Sequence, residues 1–438
     1  MRTQDSHESP QEMQPLVMVS MARPVNSRMA HGVRLMVAAL ALHTPLAGAT
    51  HDYPSVHFRG FGTAAVGGTD TDRLGFRIAN NQRKGLTSRW GFDTDSRLGL
   101  QLDAEINQTW HAGIQWVARN HAGDFFEQNL DWAYLRWRPK QNLDLRLGRL
   151  GLDIYFLSDY RNVGYAYPWI RPPHEFYGSN AIYHFDGADI AKRFKFGEGY
   201  LTTKLFAGHA FFQLPIYQSG VFDGGVSLGG GKLAFEQGPW QFRLAYMYTE
   251  QTRELPIKPL KQLLLDPGVN AGWPGASDLV PRLRAAGRRI QFSSLGLAYD
   301  NGVWLAQMEA SYVDSSQEVV PDAATAYLSV GRRFDKFTFY TVYGIGQTLR
   351  HEVKLPALRN AGLGTLRREV DTVFNGNGQD EQSLSLGARW DVYRNVALKA
   401  QWSHYWLGHN GVVQWDEPGT GNIPNNVNVW TLGVDFLF

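Results

Sequence analysis

From residue 96 to its end, much of the chain is written in period two. In residues 97–106, Leu98, Leu100, Leu102, Ala104 and Ile106 fall on one side, with Arg97, Gln101, Asp103 and Glu105 on the other. Trp110, Ala112, Ile114 and Trp116 repeat the pattern opposite His111, Gly113 and Gln115. So do Leu384, Leu386, Ala388 and Trp390, and then Val396, Leu398, Ala400 and Trp402 opposite Lys399, Gln401 and Ser403. Strict alternation is the signal of a half-buried strand, and a slip of one residue would turn every side chain to the wrong face. Composition supports sheet: 24 Phe, 19 Tyr and 14 Trp sit among 46 Gly, as in aromatic-edged strands joined by turns. No stretch of 18 apolar residues occurs, which excludes a helical membrane protein. A net charge of +2 gives no bulk attraction to nucleic acid, and zero Cys removes disulfides, thiolate zinc sites and thiol catalysis.

The front end reads as a targeting segment. Arg34 precedes an eight-residue apolar run, 35–42, followed by Pro45 and by Ala47, Gly48 and Ala49, a small-residue cleavage site. Residues 1–49 are therefore expected to be a signal peptide region, with the true start at Met1, Met21 or Met29. Cleavage after Ala49 leaves 438 − 49 = 389 residues, exported to the periplasm, the outer membrane or the medium.

A soluble sandwich also alternates, but two features favour a membrane barrel. Very short links (107–109, 139–142, 195–199, 236–239, 300–302, 334–336 and 393–395) alternate with long polar ones. Apolar faces end in aromatics, among them Trp110, Trp116, Trp132, Trp137, Trp240, Trp304, Trp390, Trp402, Trp406 and Trp430, as interfacial girdles do. Sixteen strands are placed: 55–66, 96–106, 110–118, 130–138, 143–150, 186–194, 200–208, 222–235, 240–249, 289–299, 303–313, 323–333, 337–347, 382–392, 396–406 and 427–438. The predicted fold is all-β: one transmembrane antiparallel barrel over residues 50–438, with short periplasmic turns and long outer loops. Loops 67–95, 250–287 and 348–381 are expected to be polar and extracellular. Polar faces line the bore, since only apolar groups can face lipid.

Over residues 55–438 the sequence resembles the sixteen-stranded Gram-negative porins. The resemblance rests on residues 58–62 (Phe-Arg-Gly-Phe-Gly), 96–103, 145–149 (Leu-Arg-Leu-Gly-Arg) before a long loop, and the aromatic end 430–438. It implies a homotrimer and a third loop, about 150–185, folded into the bore as a constriction. It also implies an assembly signal in Trp430, Phe436 and the terminal Phe438, read by the outer-membrane assembly machinery. The third loop departs from the family: residues 172–178 read Pro-Pro-His-Glu-Phe-Tyr-Gly where general porins carry a tighter Pro-Glu-Phe-Gly-Gly.

Alternation puts Arg59, Arg97, Arg136 and Arg146 on the polar faces of the first five strands, with Lys399 late in the chain; the third loop adds Asp153, Asp159 and Glu175 with Arg161. Opposite charges across a narrow bore would set up a transverse field that filters ions. The alternative is that these charges hydrate the wall and pair with neighbours. The loop aromatics Tyr155, Tyr160, Tyr165, Tyr167, Trp169 and Tyr177 either form a track for sugar rings or pack the loop against the wall.

Other motifs are thin. The run Gly229, Gly230, Gly231, Lys232 lacks phosphate-loop spacing, and Asp371, Asn375, Asn377, Asp380 and Glu381 do not match a calcium loop. His174–Glu175 has no second His four residues on, and no G-x-S-x-G occurs. No cofactor or catalytic residue is expected. The leading reading is a porin for passive diffusion of small hydrophilic solutes and ions, set among outer-membrane lipid and lipopolysaccharide. A selective channel for sugars or organic acids comes second, a barrel enzyme third and a soluble secreted β protein fourth.

Overall fold

The computed structural model describes residues 53–123, 129–216, 220–350, 352–408, 414–416 and 424–438. The expected leader, residues 1–49, lies outside them. Sixteen antiparallel strands close into one barrel. They are β1 (Ser55–Thr69), β2 (Arg97–Glu105), β3 (Trp110–Arg119), β4 (Leu130–Lys140), β5 (Leu143–Gly151), β6 (His184–Phe196), β7 (Gly199–Ile216) and β8 (Gly220–Gln237). The second half is β9 (Trp240–Gln251), β10 (Arg289–Asp300), β11 (Trp304–Ser315), β12 (Ala323–Phe334), β13 (Phe337–Thr348), β14 (Asp380–Tyr393), β15 (Val396–Leu407) and β16 (Asn426–Leu437). Each coincides with a strand expected from alternation.

Closure is between β1 and β16, from Phe61 opposite Leu437 to Thr69 opposite Val429. Phe438 adds a last rung, exchanging both backbone hydrogen bonds with Gly60 at 2.7 and 2.9 Å. A Cβ on Gly60 would come within 2.1 Å of the Phe438 ring, so only glycine lets that ring lie on the seam. Three of the tight turns place Gly197, Gly238 and Gly302 at positive φ, where a side chain would strain the backbone.

Alternation assigns the two faces as expected. Leu102, Ile114, Leu147, Leu205, Leu244 and Leu386 are exposed on the outer face. Gln101 pairs with Gln115 and Arg136 with Arg146 on the inner face. Trp132 is a correction. It has the strand parity of inward-facing Tyr134 and Arg136, pairs in regular register with Gln115 and lies beside Gly151 rather than in the outer girdle; the bulge of this strand pair comes only after it, between Gln115 and Trp116.

The long links depart more from expectation. The link expected over 209–221 shrinks to three residues: β7 and β8 pair all the way to Ile216 opposite Gly220, because Phe212 and Phe222 continue the inward alternation and pack edge to face. Loop 70–96 is not an open outer loop. It folds inward, burying Leu74, Phe76 and Leu86 against Tyr405, Trp415 and Val427, and short strands Gly75–Phe76 and Trp415–Asp416 pair. Loops 252–288 and 349–379 fold into helices α2 (Lys258–Leu265), α3 (Pro267–Gly272) and α4 (Gly364–Asn375), α1 being His174–Tyr177 in the third loop. Leu264, Trp273, Leu279, Leu283, Val370 and Phe374 make a separate apolar core there, a cap that polar composition had hidden. Trp273 Nε1 donates to Pro356 O at 3.0 Å, tying one loop to the other. Partial burial works against the charge on Glu254 in this cap. Hydrogen bonds from Lys261 and the Ala286 N–H outweigh it and hold the carboxyl below the usual range.

Candidate channel constriction

The third loop, residues 152–183, starts at the end of β5 and crosses the bore to strands on the far side. Its first anchor is Asp153, which is buried. Lys204 donates to its carboxylate at 2.7 Å and Arg243 at 3.1 Å, and Lys232 donates as well. Lys204 also lies 3.5 Å from Asp189, which Arg146 grips at 2.5 Å. Four cations thus share two carboxylates, leaving the wall beneath the loop net positive. Such a cluster holds only while the carboxylates stay, since a buried unpaired charge is costly.

Further anchors follow around the wall. Glu309 on β11 accepts from the Phe156 N–H at 2.7 Å, from Tyr327 at 2.7 Å and from Tyr177. Trp169 donates to Ser329 at 2.8 Å, and the Ile170 N–H to Gln401 at 3.1 Å. Lys399 donates to the carbonyls of Gly164, Tyr167 and Trp169, each at 2.7 Å, and pairs with Asp435 at 2.7 Å. Arg97 holds the Asn162 carbonyl and the Tyr167 hydroxyl, both at 2.7 Å. Arg389 holds the carbonyls of Tyr165 and Tyr167, and Arg171 reaches back to Asp95 at 2.7 Å.

The expected constriction residues therefore divide. Arg97, Lys399 and Asp153 are buried and serve as loop anchors; their charge is used on backbone carbonyls or ion pairs. Glu175 is a correction: at 1 % exposure it does not face open bore. It lies in α1 beside Gly344, and Gln379 bridges its backbone carbonyl to Glu381. Arg161 stacks on Tyr183, with its guanidinium carbon 3.2 Å from the ring centre. Asp159 and Tyr160 are exposed at the loop tip. The Asp159 carboxylate lies beside Gly151, at the end of β5. On the wall, Arg136 pairs with Asp144 at 2.7 Å, and Arg59 is 3.5 Å from Asp103 with its side chain 66 % exposed. Asp159 and Arg59 thus keep exposed side chains, while Arg136 and Arg146 are only partly exposed.

Most of the loop aromatics, Tyr155, Tyr167, Trp169, Phe176 and Tyr177, are buried against the wall. That removes most of a sugar track and favours the packing alternative. Sequence reasoning missed Lys232: the glycines at 229–231 blur the alternation that would have marked it as inward. The residues expected to carry an assembly signal face outward. Trp430 stands opposite Gly68 and Phe436 opposite Gly62, and the rings of Phe436 and Phe438 stack 6.2 Å apart. The suspected calcium ligands are dispersed: Asn375 donates to Asp371 and Asn377 to the Val319 carbonyl, while Glu381 accepts from Trp415. Among the described residues no His, Asp and Glu cluster is spaced for a metal ion.

A closed sixteen-stranded barrel, apolar outside, charged inside and crossed by its third loop, has the architecture of an outer-membrane channel. The chain belongs to the Gram-negative porin family, which it matches over residues 36–437. It is accordingly a protein of the cell outer membrane. No curated protein is detectably similar to it in sequence. Among solved structures it resembles OmpF of Salmonella typhi in complex with daunomycin, at 12% identity and a TM-score of 0.52, over 89% of this chain and 99% of that one. The anion-selective porin from Comamonas acidovorans aligns at 13% identity and a TM-score of 0.49, over 88% of this chain and 100% of that one. OprB of Pseudomonas putida aligns at 12% identity and a TM-score of 0.48, over 87% and 94%. At these identities the likeness is one of fold.

Proposed function

We propose that the protein is a passive diffusion channel for small hydrophilic solutes and ions, with a weak preference for anions, assembled as a homotrimer. The observation that carries this reading is the loop tip. Asp159 and Tyr160 stand exposed side by side while most of the loop's aromatic side chains are buried against the wall, so solute passes between the tip and the side bearing Arg136 and Arg146. The excess of cations under the loop tips the local field toward anions, because a low-dielectric wall strengthens charges at a narrow point. Transport needs no turnover and no cofactor, and the reading is of a channel rather than an enzyme; membership of the porin family supports it. Planar-bilayer recording tests it. Ohmic conductance with a small zero-current potential of anionic sign is expected, and no conductance from folded protein would overturn it. Saturable current block by a sugar or organic acid would instead favour the selective-channel reading, with Tyr160 as its exposed ring. Hydrolysis by the purified barrel would favour an enzyme.

A further inference from the structure

A second polar cavity lies apart from the loop tip. It sits between the inward-folded loop 70–96, the end of β3 and the third loop, and is lined by Thr94, Arg97, Arg119, Asn120, Arg161 and Tyr183 among others. Its free space is about 40 Å³, room for about three waters. Two buried groups facing this space lack the partners that buried polar groups normally find. The Thr94 hydroxyl, on a residue only 4% exposed, makes no hydrogen bond, and neither does the Asn120 amide nitrogen. Beside them, half-buried Arg161 stacks its guanidinium on the face of Tyr183 and, among the described residues, forms no ion pair. Tyr183 carries a second guanidinium, Arg119, 4.4 Å from its ring centre.

The local charge is positive. Asp131 is taken by Arg119 at 3.0 Å, and Asp95 by Arg171 at 2.7 Å. Arg97 and Arg161 remain, and Arg97 points at the Asn162 carbonyl and the Tyr167 hydroxyl. Unused donors, an uncompensated guanidinium and a space of a few waters share one chemical complement. We infer that this cavity binds one small monovalent anion, from chloride to acetate in size, held by Arg161 and the Asn120 amide with the Thr94 hydroxyl donating. A carboxylate or halide there would satisfy all three groups, and charge-assisted hydrogen bonds of this kind are the strong ones. The site would also clamp the third loop to loop 70–96, so occupancy should show in stability. The inference goes beyond the channel reading, because its readout is binding and not conductance.

The test uses the full, detergent-purified chain. Thermal unfolding is followed while sodium gluconate is replaced by chloride, formate or acetate at fixed ionic strength, since gluconate is too large for the cavity. The wild-type midpoint should rise saturably with the small anions. The rise should vanish in Arg161→Gln and weaken in Thr94→Val, which removes only a hydroxyl and keeps the fold testable if Arg161→Gln does not assemble. Bromide located by anomalous scattering in crystals of the wild type should lie beside Arg161. An equal rise in all variants, no rise in the wild type, or bromide found only elsewhere would overturn the proposal. A rise with chloride but not with formate or acetate would overturn its carboxylate arm.

Discussion

Lys204 on β7 and Lys232 on β8 stand directly opposite each other in the barrel wall, and both ammonium groups point at the single carboxylate of Asp153. Like charges opposite one another destabilise a sheet. Here the pair is tolerable only because the third loop brings its carboxylate between them. Asp153→Asn should therefore do more than remove one ion pair. Lys232 and Arg243 would lose their counter-charge and Lys204 would keep only Asp189, at 3.5 Å, at a cost of about 3–5 kcal/mol for a broken buried pair. The loop should detach at its start. Higher conductance, noisier current and a lower unfolding temperature are expected, and an unchanged conductance with unchanged stability would show that the other anchors suffice.

Selectivity should follow the residues whose side chains stay at least partly exposed. Asp159→Asn removes the exposed carboxylate at the tip and should strengthen anion preference. Arg146→Glu should abolish or reverse it. The zero-current potential across a salt gradient reads both. If neither substitution moves it, the narrowest point lies elsewhere and the reading of the loop tip fails.

The two faces should respond oppositely to charge. Leu398→Arg places a guanidinium on the outer face, at about 2–4 kcal/mol near mid-membrane. Gln101→Arg enters the half-exposed inner face beside Asp103 and should assemble normally. Alternation alone would treat Gln401→Arg as equally mild, but Gln401 accepts from the Ile170 N–H and from Tyr340 and is buried. It should loosen the loop. The yield of heat-modifiable protein in membranes orders the three; equal yields would refute the face assignment.

What could be seen in the sequence was what is local. Period two within each strand and turn residues between strands identified all sixteen strands, because strand faces and tight turns are decided by neighbours a few residues apart. What could not be seen was decided by partners far along the chain. Glu175 reads as a bore-facing acid until Gln379 and Glu381, some 200 residues later, close over it. Asp153, Lys399 and Arg97 carry the right chemistry for a constriction, but their hydrogen bonds go to the loop itself.

The cap should behave as a separate unit of stability. Trp273 is fully buried where loops 252–288 and 349–379 meet, so Trp273→Ala should cost the cap about 3–5 kcal/mol and leave the barrel closed. Proteases should then cut within 252–288 while heat-modifiability is kept. Acid should act in the same direction. The Glu254 carboxyl is held below its ordinary value of 4.5, so its stabilising contacts are complete above that pH and fade as pH falls through the lowered value. Cutting that spares the cap, or that destroys the barrel with it, would show that cap and barrel do not melt separately.

The seam of the barrel depends on its last residue. Phe438 exchanges two backbone hydrogen bonds with Gly60 and lays its ring where a Cβ on Gly60 would stand. Deleting Phe438 removes that rung and uncovers Gly60, and in the porin family the terminal aromatic is the expected assembly signal. Gly60→Val keeps Phe438 but displaces its ring, and overpacking of this kind costs about 1–3 kcal/mol. The two variants separate the roles. If Phe438 acts as a signal, its deletion should reduce assembled protein in cells far more than Gly60→Val does, and refolding of the deletion from urea into detergent should still succeed. If it acts only as the closing rung, both variants should fail alike in cells and in detergent. Normal assembly of the deletion in cells would refute both roles.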